Sequence, residues 1–247
     1  YDAFGITLDG GFSEYMRVTA GAIEQGNVIP LDPAADPAAM ALAEPLACVL
    51  HGQDALDVGP GDVVLIQGAG PIGIMHLLMA KARGATRVIL SDRLPERLAK
   101  AAELGADRTV DISAEDLSRV IGETTGGTGA DVVIVAAPVR AAMEESLQLA
   151  AYRGRINFFA GLPKQEPCIQ ADANLIHYKE LVVTGSTGSS TNDCRRAVEL
   201  AAAGKVDLDA LIGDRFPLTE APAAFAAARH HNGWKVILQP ELRRIFR

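Results

Sequence analysis

Between Val63 and Gly185, short runs of β-branched and other apolar residues alternate with helix-length amphipathic stretches. The runs are Val63–Ile66, Arg87–Leu90, Asp131–Val135, Arg155–Phe159 and Leu181–Val183, with a weaker one at Asp107–Val110. Each is too short for a helix and nearly continuous in apolar residues, which is the pattern of a strand buried on both faces of a parallel sheet. The intervening stretches, Pro71–Arg83, Pro95–Leu104, Glu115–Thr124 and Arg140–Ala151, are long enough to be the crossover helices that parallel pairs require. In the second of these, Leu98, Ala101, Ala102 and Gly105 recur at helical spacing and predict a smooth face against the sheet. Five or six strands in this order predict an α/β, doubly wound parallel sheet of the Rossmann kind.

The ends read differently. Residues 1–50 carry an apparent strand around Phe12–Thr19, a proline-punctuated loop from Pro30 to Pro37 and an alanine-rich helix start near Met40. After Gly185 come a Gly/Ser/Thr turn (Ser186–Thr191), a helix over Cys194–Ala203, a short strand at Arg215–Leu218, a helix at Glu220–Arg229 and a strand at Trp234–Leu238. Neither end has enough alternating strand for a sandwich of its own. The expected organisation is a unit over residues 51–187 inserted into a second domain made of residues 1–50 and 188–247, with a basic peripheral tail after Pro240.

Composition narrows the function classes. A 49% hydrophobic fraction in 247 residues excludes disorder, and 24 Gly with 13 Pro exclude collagen-like sequence. The balance of 23 basic against 31 acidic residues, a net of −8, argues against non-specific binding to nucleic acid or to an anionic membrane surface. Cys48, Cys168 and Cys194 are far apart with no Cys-x-x-Cys pair, which suits a reducing compartment and offers neither a disulfide framework nor a cysteine zinc site. No apolar run reaches the roughly 18 residues of a membrane span, so a cytoplasmic location is expected. The sequence opens at Tyr1 without methionine and reads as part of a longer polypeptide.

The strongest chemical signal is Gly68-Ala69-Gly70-Pro71-Ile72-Gly73, which follows one predicted strand, opens a helix and is followed by Asp92. Gly68 permits the tight turn, Gly70 lets the backbone approach a diphosphate, and Gly73 lets helix and sheet pack closely. The helix N-terminus offers free N–H groups and the positive end of its dipole to the phosphates. Pro71 suits the first helical position, where a missing N–H costs little. Asp92 ends the next strand, where a carboxylate accepts both ribose hydroxyls of NAD and repels a 2′-phosphate. Arg93 beside it is suited to hold that phosphate instead; the competing reading of Asp92 is a cap for the helix that begins at Pro95, a role that can coexist with the first. On the acid rule, NAD is the expected coenzyme.

With these residues in view, the chain resembles the medium-chain, zinc-type alcohol dehydrogenases, in particular their sorbitol/polyol and threonine dehydrogenase branch. The markers are Gly10-Gly11-Phe12-Ser13-Glu14-Tyr15, Ala43-Glu44-Pro45-Leu46-Ala47-Cys48, Gly59-Pro60-Gly61-Asp62, Leu104-Gly105-Ala106-Asp107, Gly126-Gly127-Thr128-Gly129-Ala130-Asp131, Tyr178-Lys179-Glu180-Leu181 and Gly204-Lys205-Val206. The resemblance implies a nucleotide domain inserted into a split, here incomplete, mainly-β GroES-like catalytic domain. It implies hydride transfer between NAD and a secondary alcohol whose oxygen is polarised by zinc, and a homo-dimer or homo-tetramer. By similarity, Ile72 and Asp92 contact the adenosine half with Arg97 nearby, Gly161 and Leu162 flank the nicotinamide, and Lys235 faces the diphosphate or is a solvated lysine.

Glu44 stands where the resemblance places a zinc-proximal catalytic residue, glutamate in the polyol branch. A carboxylate is a reasonable zinc ligand; the competing reading is a first-turn helix acid stabilised by the dipole. The family's remaining ligands have no counterpart here. His51, His76, His177, His230 and His231 show no metal spacing, and Cys48 reads as a small packed hydrophobe. The loop Gly185–Ser189 carries Gly188 and Ser189 where sorbitol dehydrogenases have an arginine–tyrosine pair, so a substrate other than sorbitol is expected. Two alternatives remain: a zinc-independent, quinone-reductase-like NADPH enzyme, and a nucleotide-binding module without catalysis.

Overall fold

The computed structural model describes residues 2–230 and 234–240; His231 and the basic tail after Pro240 lie outside them. Contacts divide the chain into two compact units, one over Ala43–Asp207 and one joining the residues up to Leu42 with those from Leu208 onward.

In the first part of the outer unit, α1 (Ala20–Glu24) is capped by the Thr19 hydroxyl and α2 (Pro37–Met40) by the Asp36 carboxylate, each accepting an N–H of the first turn. The expected strand at Phe12–Thr19 is absent. Alternation supplies a pleated surface, but a strand also needs a neighbour for its backbone donors. The described residues provide none, leaving Phe12 and Tyr15 about 70% exposed.

The inner unit runs α3 (Ala43–Asp54), β1 (Val63–Gln67), α4 (Pro71–Ala82), β2 (Arg87–Asp92), α5 (Pro95–Glu103), β3 (Arg108–Asp111), α6 (Leu117–Thr125), β4 (Ala130–Val135), α7 (Arg140–Leu149), β5 (Ala150–Phe158), α8 (Ala173–Tyr178), β6 (Val182–Gly185) and α9 (Thr191–Ala202). Six strands pair in parallel in the order β3-β2-β1-β4-β5-β6. The order reverses between β1 and β4. The crevice beyond the C-terminal ends of those strands is the topological switch point, where open α/β sheets bind ligands. Val64, Leu65 and Ile66 of β1 are all fully buried, as both-face coverage demands. One face packs Leu65, Ile89, Val133 and Ile156 against Leu117, Val120 and Ile121 of α6 and Leu147 of α7; α4 and α5 pack onto β1, β2 and β3.

Of the four residues expected on the buried face of α5, Leu98 and Ala101 are buried, whereas Ala102 and Gly105 are exposed. Gly105 lies past the helix end in the turn to β3, with φ of +94°. Ala102 sits on the open flank of a helix packed on β2 and the edge strand β3. The inner unit also takes in helices on both sides of residues 51–187, because α3 packs against α4 and α9.

The outer unit closes with β7 (Ile212–Pro217), α10 (Ala221–His230) and β8 (Lys235–Gln239), the two strands pairing in parallel with α10 packed on both. Phe12 meets Phe225 edge-on at 5.8 Å, and Arg215 joins Asp36 (2.7 Å) to Asp209 (2.6 Å). Among the described residues, no helix is long and apolar enough to cross a membrane.

Candidate functional site

The glycine loop is the turn from β1 into α4, at the switch point. Gly68 has φ of +108°, and its N–H donates to the Ser91 carbonyl at 2.8 Å. Gly73 has no room for a side chain, since a Cβ there would lie 1.8 Å from the Gly68 carbonyl oxygen. Gly70 is different. A Cβ on it would meet only Arg97 Nη1, at an ordinary 3.6 Å, so the protein itself does not require glycine there. Gly70 is the N-cap residue of α4 and provides no side-chain cap, with Pro71 at the first helical position. A helix opened in this way keeps unpaired N–H groups at its positive end, a ready site for an anion. Ile72 lies in that first turn.

Asp92, the last residue of β2, ties the loop together. Its Oδ2 accepts the Ala69 N–H at 2.7 Å, while its Oδ1 accepts the N–H groups of Arg93 (2.7 Å) and Leu94 (3.1 Å). The expected capping role is therefore displaced by two residues: Leu94 is the N-cap of α5 and gives no side-chain bond. A carboxylate offers about four lone-pair sites, of which these three bonds leave room for a further donor. Arg97 Nη1 lies 3.7 Å from Asp92 Oδ2 and beside Gly70, so its guanidinium borders the mouth of the loop. Arg93 carries its side chain into solvent.

Gly161 and Leu162 follow the end of β5 through Phe159 and Ala160, whose N–H donates to the Val135 carbonyl at 3.0 Å. Beneath Phe159, Gln53 and His76 form a buried pair. Two residues separated by 23 positions leave no mark in any periodicity.

Glu44 is exposed in the first turn of α3. Cys48, one turn on, donates its thiol to Glu44 Oε1 at 3.4 Å, so it is more than the packed hydrophobe expected. Burial, followed by the neighbouring Glu44 charge, pushes the Cys48 thiol up to about 11. On the next turn of the same helix, His51 Nδ1 lies 3.4 Å from Asp193 Oδ2. Among the described residues, no group of three His, Cys, Asp or Glu side chains is placed to hold a metal ion. A catalytic zinc takes three protein ligands; Glu44 on its own does not fit one. Lys235 opens β8 in the outer unit, half-buried and opposite Ile212.

Residues 71–203 match the family described as zinc-binding dehydrogenase. The chain is 34% identical over 238 residues to the L-threonine 3-dehydrogenase of Bacillus subtilis (strain 168), covering 96% of this chain and 66% of that protein. It is 30% identical over 242 residues to the sorbitol dehydrogenase of Halalkalibacterium halodurans, covering 96% and 67%. A solved structure from Sinorhizobium meliloti 1021, described as a zinc-binding dehydrogenase bound to NADP, superposes with a TM-score of 0.86 at 35% identity, over 96% of this chain and 68% of that one. The chain thus spans just under two thirds of the length of the threonine dehydrogenase it matches.

Proposed function

The chain belongs to the zinc-binding dehydrogenase family, and on that premise we propose that it is the coenzyme-binding part of an NAD-dependent oxidoreductase interconverting a secondary alcohol and a ketone. The observation that carries this reading is the glycine loop. An uncapped helix start, a glycine at 70 that the protein's own packing does not require, and a carboxylate at the end of β2 meet at the switch point of the sheet.

The first-turn N–H groups of α4 bind the diphosphate, and Gly70 lets it approach the backbone. Asp92 takes a ribose hydroxyl of the adenosine half through its remaining lone pair, and its charge repels a 2′-phosphate, which is the reason for naming NAD. Arg97 borders the same end of the coenzyme, and Gly161 and Leu162 flank the nicotinamide. When bound, that ring gives or accepts the hydride. Glu44 is this chain's contribution to a zinc-assisted site. Glu44 alone falls short of the three protein ligands that a catalytic zinc takes.

The substrate class is a polyol, a sugar alcohol or a related hydroxy compound. This is supported by the threonine and sorbitol dehydrogenases among the relatives. We also propose a cytoplasmic homo-dimer or homo-tetramer, a point that sedimentation tests.

The test of function is calorimetric titration with NADH and NADPH, followed by coenzyme reduction over a panel of polyols with and without a chelator. Binding of NADH with a preference over NADPH is expected. The Sinorhizobium relative holds NADP; a clear preference of this chain for NADPH overturns the choice of NAD, and joined to activity that the chelator leaves unchanged it favours the zinc-independent, quinone-reductase-like alternative. Absence of heat with either coenzyme overturns the reading.

A further inference from the structure

Beneath the end of β5 lies a polar pair that coenzyme binding does not by itself require. Gln53 of α3 and His76 of α4 are both fully buried. The Gln53 side-chain amide donates to the His76 carbonyl oxygen at 2.8 Å and lies 3.3 Å from His76 Nδ1. An amide nitrogen brings only hydrogens, so Nδ1 is the acceptor and the ring proton resides on Nε2. Burial keeps the ring neutral, lowering its pKa to about 3.

The Nε2–H is buried and has no nitrogen or oxygen partner, and neither has Gln53 Oε1. What the imidazole meets instead is Phe159, with ring centroids 4.6 Å apart and planes at 89°. Two aromatic rings set at right angles in this way hold each other's orientation. Gly52 of α3 also abuts the ring: a Cβ there would come within 3.0 Å of Phe159 Cδ2 and of Ser186 Oγ. Phe159 is therefore held by α3 and α4 together, and the chain passes from it directly into Ala160, Gly161 and Leu162.

We propose that His76, fixed as its Nε2–H tautomer by Gln53, is a positioning residue for the nicotinamide end of the coenzyme, acting through Phe159 on the path of residues 160–162. The proposal rests on the reading that Gly161 and Leu162 flank the nicotinamide. A purely structural role fits the pair poorly, because apolar side chains of similar shape would stabilise the same contact as well or better than a buried pair with two unsatisfied atoms.

The test compares the affinity of the full chain for NADH and for ADP-ribose, which shares the diphosphate but lacks the nicotinamide ring. His76→Leu is expected to weaken NADH binding by about fivefold or more, since small displacements far from the reacting atoms propagate to them. ADP-ribose affinity is expected to stay unchanged, and the melting temperature to hold or rise. Gln53→Leu, which releases the tautomer, should shift NADH affinity the same way by less. If His76→Leu does not fold, Phe159→Leu carries the same comparison. Unchanged NADH affinity in a folded variant overturns the proposal, as does an equal loss for both ligands. If neither ligand binds the unsubstituted chain, the coenzyme reading falls and the proposal with it.

Discussion

The carbonyl oxygen of Gly68 occupies the space that a Cβ at residue 73 would need, only 1.8 Å from it. The two glycines are thus a coupled pair, one setting the turn and the other receiving it. Gly73→Ala should force the turn open, costing about 2–4 kcal/mol of stability together with coenzyme binding. Gly70→Ala has space within the protein and should cost under about 1 kcal/mol, yet it should still weaken NADH binding. Thermal melting and calorimetry on both variants separate the two roles.

Asp92 serves the loop before it serves any ligand. Asp92→Ala leaves the N–H groups of Ala69, Arg93 and Leu94 without their acceptor. We expect a loss of about 1–3 kcal/mol in denaturant unfolding and a reduced preference for NADH over NADPH. Asp92→Asn, which retains an acceptor oxygen, should recover part of the stability and less of the preference.

The buried His76 gives a pH signature. Its folded pKa is lowered to about 3 from the ordinary imidazole value of 6.5. Between those values the unfolded chain binds the extra proton and the folded chain does not, so stability falls as pH drops. The contribution is fully present above about pH 6.5 and is lost by about 1.4 kcal/mol per pH unit on acidification toward pH 3. Denaturant unfolding between pH 7 and pH 5 should show this slope in the unsubstituted chain and a shallower one in His76→Leu.

Arg155 anchors the start of the sheet. It pairs with Asp62 and donates to the carbonyls of Leu56 (2.7 Å) and Asp57 (2.8 Å). Arg155→Met strands these acceptors and should cost about 2–4 kcal/mol. The double variant with Asp62→Asn should cost less than the sum of the two single changes, a coupling that equilibrium unfolding measures directly.

The parallel sheet was legible because strands buried on both faces read as unbroken apolar runs, as in Val63–Ile66 and Asp131–Val135, and the glycine loop because its steric demands name the residue type. Phe12–Thr19 misled because alternation records a tendency to lie half-buried, not the presence of a partner. The extra length of β5, which begins at Ala150 and passes through Arg153 at φ of +59°, is invisible to a search for apolar runs. The sequence marks Asp92 as a candidate ligand residue, but its hold on Ala69 depends on the pairing of β1 with β2. The contacts of Arg97 with Gly70, and of Gln53 with His76, arise only when separate helices are laid on the sheet. A guanidinium set five residues beyond Asp92 was the one hint of the former, and nothing in the linear order marked the latter.

Helix α3 bears Glu44 in its opening turn and Gly52 and Gln53 in its closing one, about 13 Å apart along a single axis. A rod of that length tilts as one body. Natural variation that swivels it at the Glu44 end will also shift the clamp on Phe159, so the surroundings of Glu44 and of residues 159–162 cannot be retuned independently on this scaffold.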